Sequence, residues 1–351
     1  MIMALLFCSC YLYKGPLVRE KIGFFDLLRV VAALAVVVIH VLGPYRDQLG
    51  QIPDWQWMSA ITINSLSRWA VPVFIMITGA LMLSDQRPFE PVYYIKRRFG
   101  KVLIPFLVWS VFYAFFSGLT VHGFDSALSW SVLKKLPIHE TYYHLGFFYY
   151  FIPLYLLIPV IQWWVQKAEP GQVKGVIMVW LLITGLYLFY IDGLWSETYL
   201  LYSGYLLLGY CLYQYCWPSL MVLLPLALIA VVITDYSVIS HSFTAGEYKV
   251  GRWLSYKTLN TVVVAATVFL LCRVVSDKLS AATQTRLSWL SKYSLGVYLI
   301  HPIFLWPLRQ YDLYFANPLI AIPVWTAIAA SLALATSWLL SRHRYTAWLV
   351  P

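Results

Sequence analysis

The pattern best suited to chemistry is an arginine and a histidine eleven residues apart in an apolar segment. A helix would place Arg29 and His40 on one face, about three turns or roughly 16 Å apart along the axis. Asp26 lies one turn before Arg29 and can pair with it. His40 is a candidate general base, because an imidazole can take a hydroxyl proton near neutral pH. The structural alternative is an Asp26–Arg29 ion pair and a histidine that caps the end of the helix.

Three further polar side chains lie in segments that are otherwise apolar. Arg68 lies in the second such segment, His144 begins a later one among aromatic residues, and His301 lies midway along another. A charge within hydrocarbon costs about 2.5–3.5 kcal/mol on insertion scales, so such residues are functional hypotheses. Each also has a structural interpretation. Arg68 could anchor at an interface beside Trp69, His144 could belong to an aromatic belt, and His301 could bond a neighbouring helix.

The densest cluster of charge is the run Lys96-Arg97-Arg98-Phe99-Gly100-Lys101. Guanidinium groups bind phosphate through paired N–H donors, and lysine adds a point charge. Arg97, Arg98 and Lys101 could therefore hold a phosphorylated cofactor. The cytoplasmic side of any membrane protein carries similar runs, and lipid head groups are an alternative partner for this one.

The composition places these residues in a membrane. Of 351 residues, 61% are hydrophobic and 11% are charged, against about 25% charged in an average soluble protein. A soluble domain of this size could not cover so much apolar surface. We therefore predict an all-α integral membrane protein with about ten transmembrane helices in one bundle. The predicted spans are Phe24–Leu42, Ser59–Leu83, Val102–Leu119, Leu145–Val165, Val176–Ile191, Thr198–Trp217, Pro218–Thr234, Tyr256–Val275, Tyr293–Leu308 and Pro318–Leu340.

The basic residues give a topology for these spans. Lysine and arginine accumulate at alternate ends, as in residues 96–101 and again at Arg342 and Arg344 after the tenth span. Because such residues are enriched in cytoplasmic loops, both termini are predicted to be cytoplasmic. The formal net charge of +10 is then mostly topological, and nucleic acid is not expected as a partner.

The remaining features add little chemistry. Residues 1–20 are expected to be an N-terminal tail or a misassigned start, and residues 21–345 the transmembrane domain. The five cysteines are scattered, without disulfide or zinc spacing, so no metal site is predicted. The sequence motifs of soluble serine hydrolases, phosphate-binding loops and zinc proteases are absent.

Five segments, in order, resemble the membrane acyltransferase-3 family. The spacing of Arg29 and His40 is similar to the arginine, ten residues and histidine that mark the family's first helix. Further matches are Arg68-Trp69-Ala70-Val71-Pro72 with Thr78-Gly79, Arg97-Arg98-Phe99-Gly100-Lys101, His144-Leu145-Gly146-Phe147-Phe148 and Tyr298-Leu299-Ile300-His301-Pro302. The chain departs from the family pattern at three of these positions. It has Thr78 for serine, Lys101 for the second arginine of Arg-x-x-Arg, and Gly146 for tryptophan.

The resemblance implies an O-acyltransferase of the bacterial cytoplasmic (inner) membrane. It would move an acyl group, usually acetyl, from cytoplasmic acetyl-CoA to an extracytoplasmic sugar hydroxyl of a surface polysaccharide or its lipid-linked precursor. Acetyl-CoA would be a substrate, with no permanently bound cofactor. The chain looks like the stand-alone enterobacterial common antigen O-acetyltransferase type, and no fused extracytoplasmic esterase domain is expected. Membrane lipid and a second copy of the chain are the other partners considered.

The resemblance also implies roles for single residues. His40 and Arg29 would be catalytic, with support from Asp26, Arg68, His144 and His301. Arg97, Arg98 and Lys101 would bind the CoA phosphates. The charge pattern agrees with these roles. The basic residues at 97–101 could hold the anionic end of CoA while the thin pantetheine arm of CoA passes between helices towards His40.

A transporter or flippase for a lipid-linked glycan or a small acid is the alternative. Arg29, Arg68, His40 and His301 would then line a polar path. The polar face along the first helix favours this reading, and the absence of an internal repeat disfavours it. A purely structural membrane subunit would leave the intramembrane charges without an explanation.

Overall fold

The described part of the chain folds mainly into α-helices. A computed structural model describes residues 23–215, 219–314 and 317–351, so the predicted tail and the break predicted at Trp217–Pro218 lie outside the described residues. Within them, the helices are α1 (Gly23–Val41), α2 (Asp54–Ser67), α3 (Ala70–Leu83), α4 (Pro91–Phe116), α5 (Ser126–Lys135), α6 (Gly146–Val165), α7 (Pro170–Leu188), α8 (Thr198–Gln214), α9 (Leu220–Ala245), α10 (Leu259–Ser276), α11 (Ala281–Ser291), α12 (Ser294–Gln310) and α13 (Pro318–Arg342). One short antiparallel hairpin joins β1 (Leu119–Thr120) to β2 (Gly123–Phe124).

Most of the long helices are apolar enough to cross a bilayer. Among the described residues, eight segments meet the length and hydropathy of a span, with α2 and α3 counted together as Asp54–Leu83. The others are α1, α4, α6, α7, α9, α10 and α13. This confirms an all-α integral membrane protein. The remaining two predicted spans correspond to α8 and α12, of 17 residues each, so the total of ten and the sidedness of the termini stay predictions.

Two predicted boundaries were wrong. The basic run at 96–101 was assigned to a loop, but it lies inside α4, which begins at Pro91. Proline suits the first turn of a helix, and lysine and arginine are good helix formers, so the helix starts well before its apolar part. The seventh predicted span was placed at Pro218–Thr234, whereas α9 continues to Ala245 and ends at the left-handed Gly246.

The second predicted span is broken in its middle. We expected one helix over Ser59–Leu83, but α2 ends at Ser67 and α3 starts at Ala70. The cause is Pro72, which has no N–H to donate to the carbonyl of Arg68 and whose ring crowds that carbonyl. The break puts Arg68 at a junction between helices, where its side chain meets other segments.

Helix α1 lies at the centre of the bundle. It contacts α2, α3, α10, α11, α12 and α13, and ten of its 19 residues are buried. Two large apolar clusters contain α1 residues, with Leu28 in one and Val37 in the other. The helix that carries Arg29 and His40 is therefore held on several sides by packed neighbours.

Helices α3 and α8 approach each other unusually closely at two glycines. A Cβ atom on Gly79 would lie 2.1 Å from the backbone oxygen of Leu206, and one on Gly209 would lie 2.1 Å from that of Met76. Small residues allow such close contact between membrane helices, where dispersion forces replace the hydrophobic effect. This contact holds α3 against α8. Because α3 begins two residues after Arg68, the contact also restrains the position of that arginine.

Candidate active site

His40, near the end of α1, forms a hydrogen-bonded pair with His301 on α12. Their rings are nearly parallel with centroids 5.0 Å apart, and His40 Nδ1 lies 2.8 Å from His301 Nε2. The second ring nitrogen of His301, Nδ1, lies 3.0 Å from the carbonyl oxygen of Val297. His301 is completely buried. Two histidines far apart in the sequence thus form one hydrogen-bonded unit.

The hydrogen bonds assign the protons when both rings are neutral. A carbonyl oxygen can only accept, so His301 must donate to Val297 from Nδ1. Its Nε2 then carries the lone pair and accepts from the Nδ1–H of His40. His40 is left with an unprotonated Nε2. This is the nitrogen that a general base requires.

A third imidazole adjoins the pair. The His144 ring is edge-on to both partners, with centroids 6.4 Å from His40 and 5.8 Å from His301. Tyr298 donates its hydroxyl hydrogen bond to the backbone oxygen of His144, which ties this turn to α12. The structure therefore brings together three histidines that sequence analysis could only name separately. In the described part of the chain, no group of three His, Cys, Asp or Glu residues is arranged to hold a metal ion.

A polar cavity of about 740 Å³ opens at the His40 end of α1. Three arginines, Arg46, Arg68 and Arg309, line it together with His40 and the carboxylates of Asp47 and Asp312. Tyr143 and Tyr256 complete its aromatic wall. The cavity has the size of a small-ligand site and polar groups that could orient one.

Each arginine of this cavity is anchored by the protein. Arg46 donates to the oxygen of Ile39 at 3.1 Å and Arg309 to that of His40 at 3.0 Å. These carbonyls belong to the last turn of α1, where they lack helical partners and where the helix dipole favours cations. Arg68 donates to the oxygen of Leu254 at 2.8 Å. The last contact ties the junction between α2 and α3 to the segment that precedes α10.

A narrow aromatic passage leads inward from His40. Its volume is about 70 Å³, and its walls include His40, His144, Phe147, Tyr150 and Tyr298. It shares His40 with the polar cavity. His40 therefore lies where the two spaces meet.

A middle cavity of about 310 Å³ follows, sharing Phe147 and Tyr298 with the passage. It is mostly apolar but contains Arg29 and Arg98. The predicted pairing of Arg29 holds, since its Nη1 lies 3.4 Å from Asp26 Oδ1. Arg29 thus faces a cavity about three turns of α1 away from His40.

A basic cavity of about 360 Å³ adjoins the middle one and shares Arg98 with it. Arg87 and Arg97 also line it. Lys101 does not belong to either wall and is exposed to solvent. Of the three residues predicted to bind CoA phosphate, the structure therefore brings two to one cavity and leaves the third outside.

Neither Arg309 nor Arg46 was among the site residues predicted from the sequence. Both lie just beyond the end of an apolar segment, where basic residues carry no special signal. The only hint was position: Arg46 follows His40 by six residues, and Arg309 follows His301 by eight.

Comparisons with known proteins agree with this architecture. The acyltransferase domain model of the acyltransferase-3 family matches residues 22–342. A protein of Bacillus subtilis (strain 168), "Putative membrane-bound acyltransferase YfiQ", is 22% identical in an alignment of 342 positions that covers 91% of each chain. No solved structure matches the chain. Because the family model covers nearly the whole chain, the protein belongs to the acyltransferase-3 family of membrane acyltransferases.

Proposed function

We propose that the protein is an O-acetyltransferase of the bacterial cytoplasmic membrane. It would move the acetyl group of cytoplasmic acetyl-CoA to a sugar hydroxyl of a surface polysaccharide, or of its lipid-linked precursor, outside that membrane. The observation that carries the proposal is the position of His40, whose side chain borders both the polar cavity and the aromatic passage. A base at this junction can meet an acceptor from one side and a donor from the other.

The donor would enter through the basic cavity. CoA carries a 3′-phosphate and a diphosphate, and Arg97 and Arg98 supply guanidinium forks suited to phosphate oxygens. The thin pantetheine arm would occupy the middle cavity, past Arg29. The aromatic passage would admit only the thioester end, because its volume is about 70 Å³.

The acceptor would occupy the polar cavity, with one hydroxyl at His40 Nε2. As this nitrogen takes the hydroxyl proton, the oxygen attacks the thioester carbonyl and the carbon–sulfur bond then breaks. The proton leaves with the CoA thiolate, so the products are an acetyl ester and free CoA. His301 keeps the reactive nitrogen unprotonated by accepting from Nδ1, as an orienting partner does for other catalytic histidines.

A transfer assay would test the proposal. Purified protein in lipid nanodiscs is supplied with radiolabelled acetyl-CoA and with glycans from the strain that encodes the chain, and the label transferred to glycan is measured. His40→Ala should abolish transfer of label while leaving protein yield unchanged. His122→Ala is the matched control, since His122 is an exposed histidine in the hairpin. Wild-type transfer by His40→Ala would refute the assignment.

Transport remains the second candidate because adjacent cavities share residues from the basic end to the polar end. Binding of labelled acetyl-CoA, competed by free CoA, separates the two functions. An acetyltransferase binds the donor and releases CoA when acceptor is added. A flippase would move a lipid-linked glycan across proteoliposomes and would neither bind acetyl-CoA nor release CoA.

A further inference from the structure

The polar cavity contains more positive charge than the proposed transfer of acetyl to a neutral sugar needs. Its side chains carry three guanidinium groups, Arg46, Arg68 and Arg309, against the two carboxylates of Asp47 and Asp312. The ion pairs found among the described residues are Asp26–Arg29, Asp85–Arg87 and Asp192–Arg252. None of the three cavity arginines therefore has a carboxylate within 4.0 Å in that part of the chain.

The anchoring contacts leave donors free on each guanidinium. Arg46 and Arg309 both donate from Nη2 to α1 carbonyls, while their Nε atoms are buried and have no hydrogen-bond partner among the described residues. Arg68 donates from Nε only. A guanidinium has five N–H donors, and a buried donor without an acceptor costs about 1–3 kcal/mol. Arg46 Nη2 also donates to Asn64 Oδ1 at 3.3 Å. These contacts still leave the Nε donors of Arg46 and Arg309 without an acceptor in the part of the chain that the structure describes.

Aromatic rings hold two of the guanidinium groups in place. Arg68 stacks on Tyr256 with the guanidinium carbon 4.2 Å from the ring centroid, and Arg309 stacks on Tyr143 at 4.0 Å. Burial lowers the pKa of Arg46 below its ordinary value, and the nearby charge of Arg68 lowers it further. Like charges held together by stacking in a partly buried cavity are typical of a site whose counter-ion is a ligand.

We infer that the acceptor bound in this cavity carries an anionic group, a carboxylate or a phosphate, which Arg46, Arg68 and Arg309 hold while the hydroxyl lies at His40. This inference rests on the proposed acetyl transfer and adds the class of acceptor. The carboxylate could belong to an acidic sugar, and the phosphate to the polyprenyl diphosphate of a lipid-linked glycan. In either case the anion would fix the position of the hydroxyl relative to His40 Nε2.

The test uses full-length protein in nanodiscs, labelled acetyl-CoA and glycans extracted from the encoding strain. The labelled product should be retained on an anion-exchange column. Carbodiimide reduction of carboxylates should abolish retention if an acidic sugar carries the charge, and mild acid hydrolysis should abolish it if a diphosphate does. Label found only in the neutral fraction would overturn the inference while the proposed function stands. No labelled glycan at all would refute the proposed function, and the inference with it.

Substitutions of the cavity arginines test whether these side chains bind the anionic group of the acceptor. Arg68→Gln and Arg309→Gln should each raise the apparent KM for the retained acceptor about tenfold or more, the range expected for hydrogen bonds to charged groups. The lysine variants should have smaller effects because they keep the charge and lose the fork. Arg252→Gln is the control, since Arg252 pairs with Asp192 and does not line this cavity. An unchanged KM in both glutamine variants would contradict the inference.

Discussion

His40 and His301 are separated by 261 residues in the chain, yet His40 Nδ1 lies 2.8 Å from His301 Nε2 and the two ring planes are nearly parallel. The bond to the Val297 oxygen orients His301, and His301 in turn orients His40. Three groups on two helices, the Val297 carbonyl and the two imidazoles, thus decide which nitrogen of His40 faces the cavities. In the proposed reaction His301 would therefore be a positioning residue, because it would act only through His40.

His301→Ala should lower turnover about 100-fold or more, within the range found for general acid–base contributions. His301→Gln should recover part of this loss, because its amide oxygen can accept the Nδ1–H of His40. The KM for acetyl-CoA should not change in either variant. The measurement is CoA release as a function of pH, since removing the partner of His40 should move the acidic limb of the profile. A pH profile identical to wild type in both variants would show that His301 only fills space.

Arg98→Gln should raise the KM for acetyl-CoA about tenfold or more, because Arg98 lines both the basic and the middle cavity. The effect should shrink with 3′-dephospho acetyl-CoA if Arg98 contacts that phosphate. Lys101→Gln is the matched control on the same helix and should change KM less than twofold, since Lys101 is exposed. Equal effects of the two substitutions would indicate general electrostatic attraction instead of a binding site.

Arg29→Ala should reduce turnover strongly, because this arginine faces the middle cavity through which the donor arm would pass. Asp26→Asn should have a weaker effect, since Asp26 does not line the middle cavity and contacts Arg29 only at 3.4 Å. Steady-state kinetics with saturating acceptor would measure both variants. A larger loss from Asp26→Asn than from Arg29→Ala would mean that Asp26 has a role of its own.

Gly79→Ala should destabilise the protein by about 1–3 kcal/mol, the usual cost of overpacking, because its Cβ would overlap the backbone of Leu206. Gly175→Ala in α7 is the control, since nothing lies within 4 Å of the added atom. That change should be neutral or slightly stabilising. Thermal unfolding in detergent compares the two proteins. Equal melting temperatures would show that α3 and α8 can separate without cost.

The sequence predicted the elements better than the contacts between them. The apolar segments and the polar face of α1 follow from local periodicity, and His40, His144 and His301 stood out as polar groups in apolar surroundings. The contacts among these three histidines could not be predicted, because no local sequence pattern indicates which helices pack together. The only sequence signal for the break at Arg68 was Pro72. Membrane helices often tolerate proline, so this signal alone did not predict a break. Arg309 and Arg46 were missed because basic residues at the ends of spans are expected on topological grounds alone.

The aromatic passage has a consequence for the membrane itself. A protein that joins a donor on one side to an acceptor on the other creates a route along which protons and ions could leak. Here the cavities of about 310 and 740 Å³ are separated by a space of about 70 Å³ walled by tyrosine, phenylalanine and histidine side chains. A space of that size holds only a few water molecules. In the proposed acetyl transfer, this narrow space would admit the acyl group while restricting the flow of water and hydrated ions between the two larger cavities.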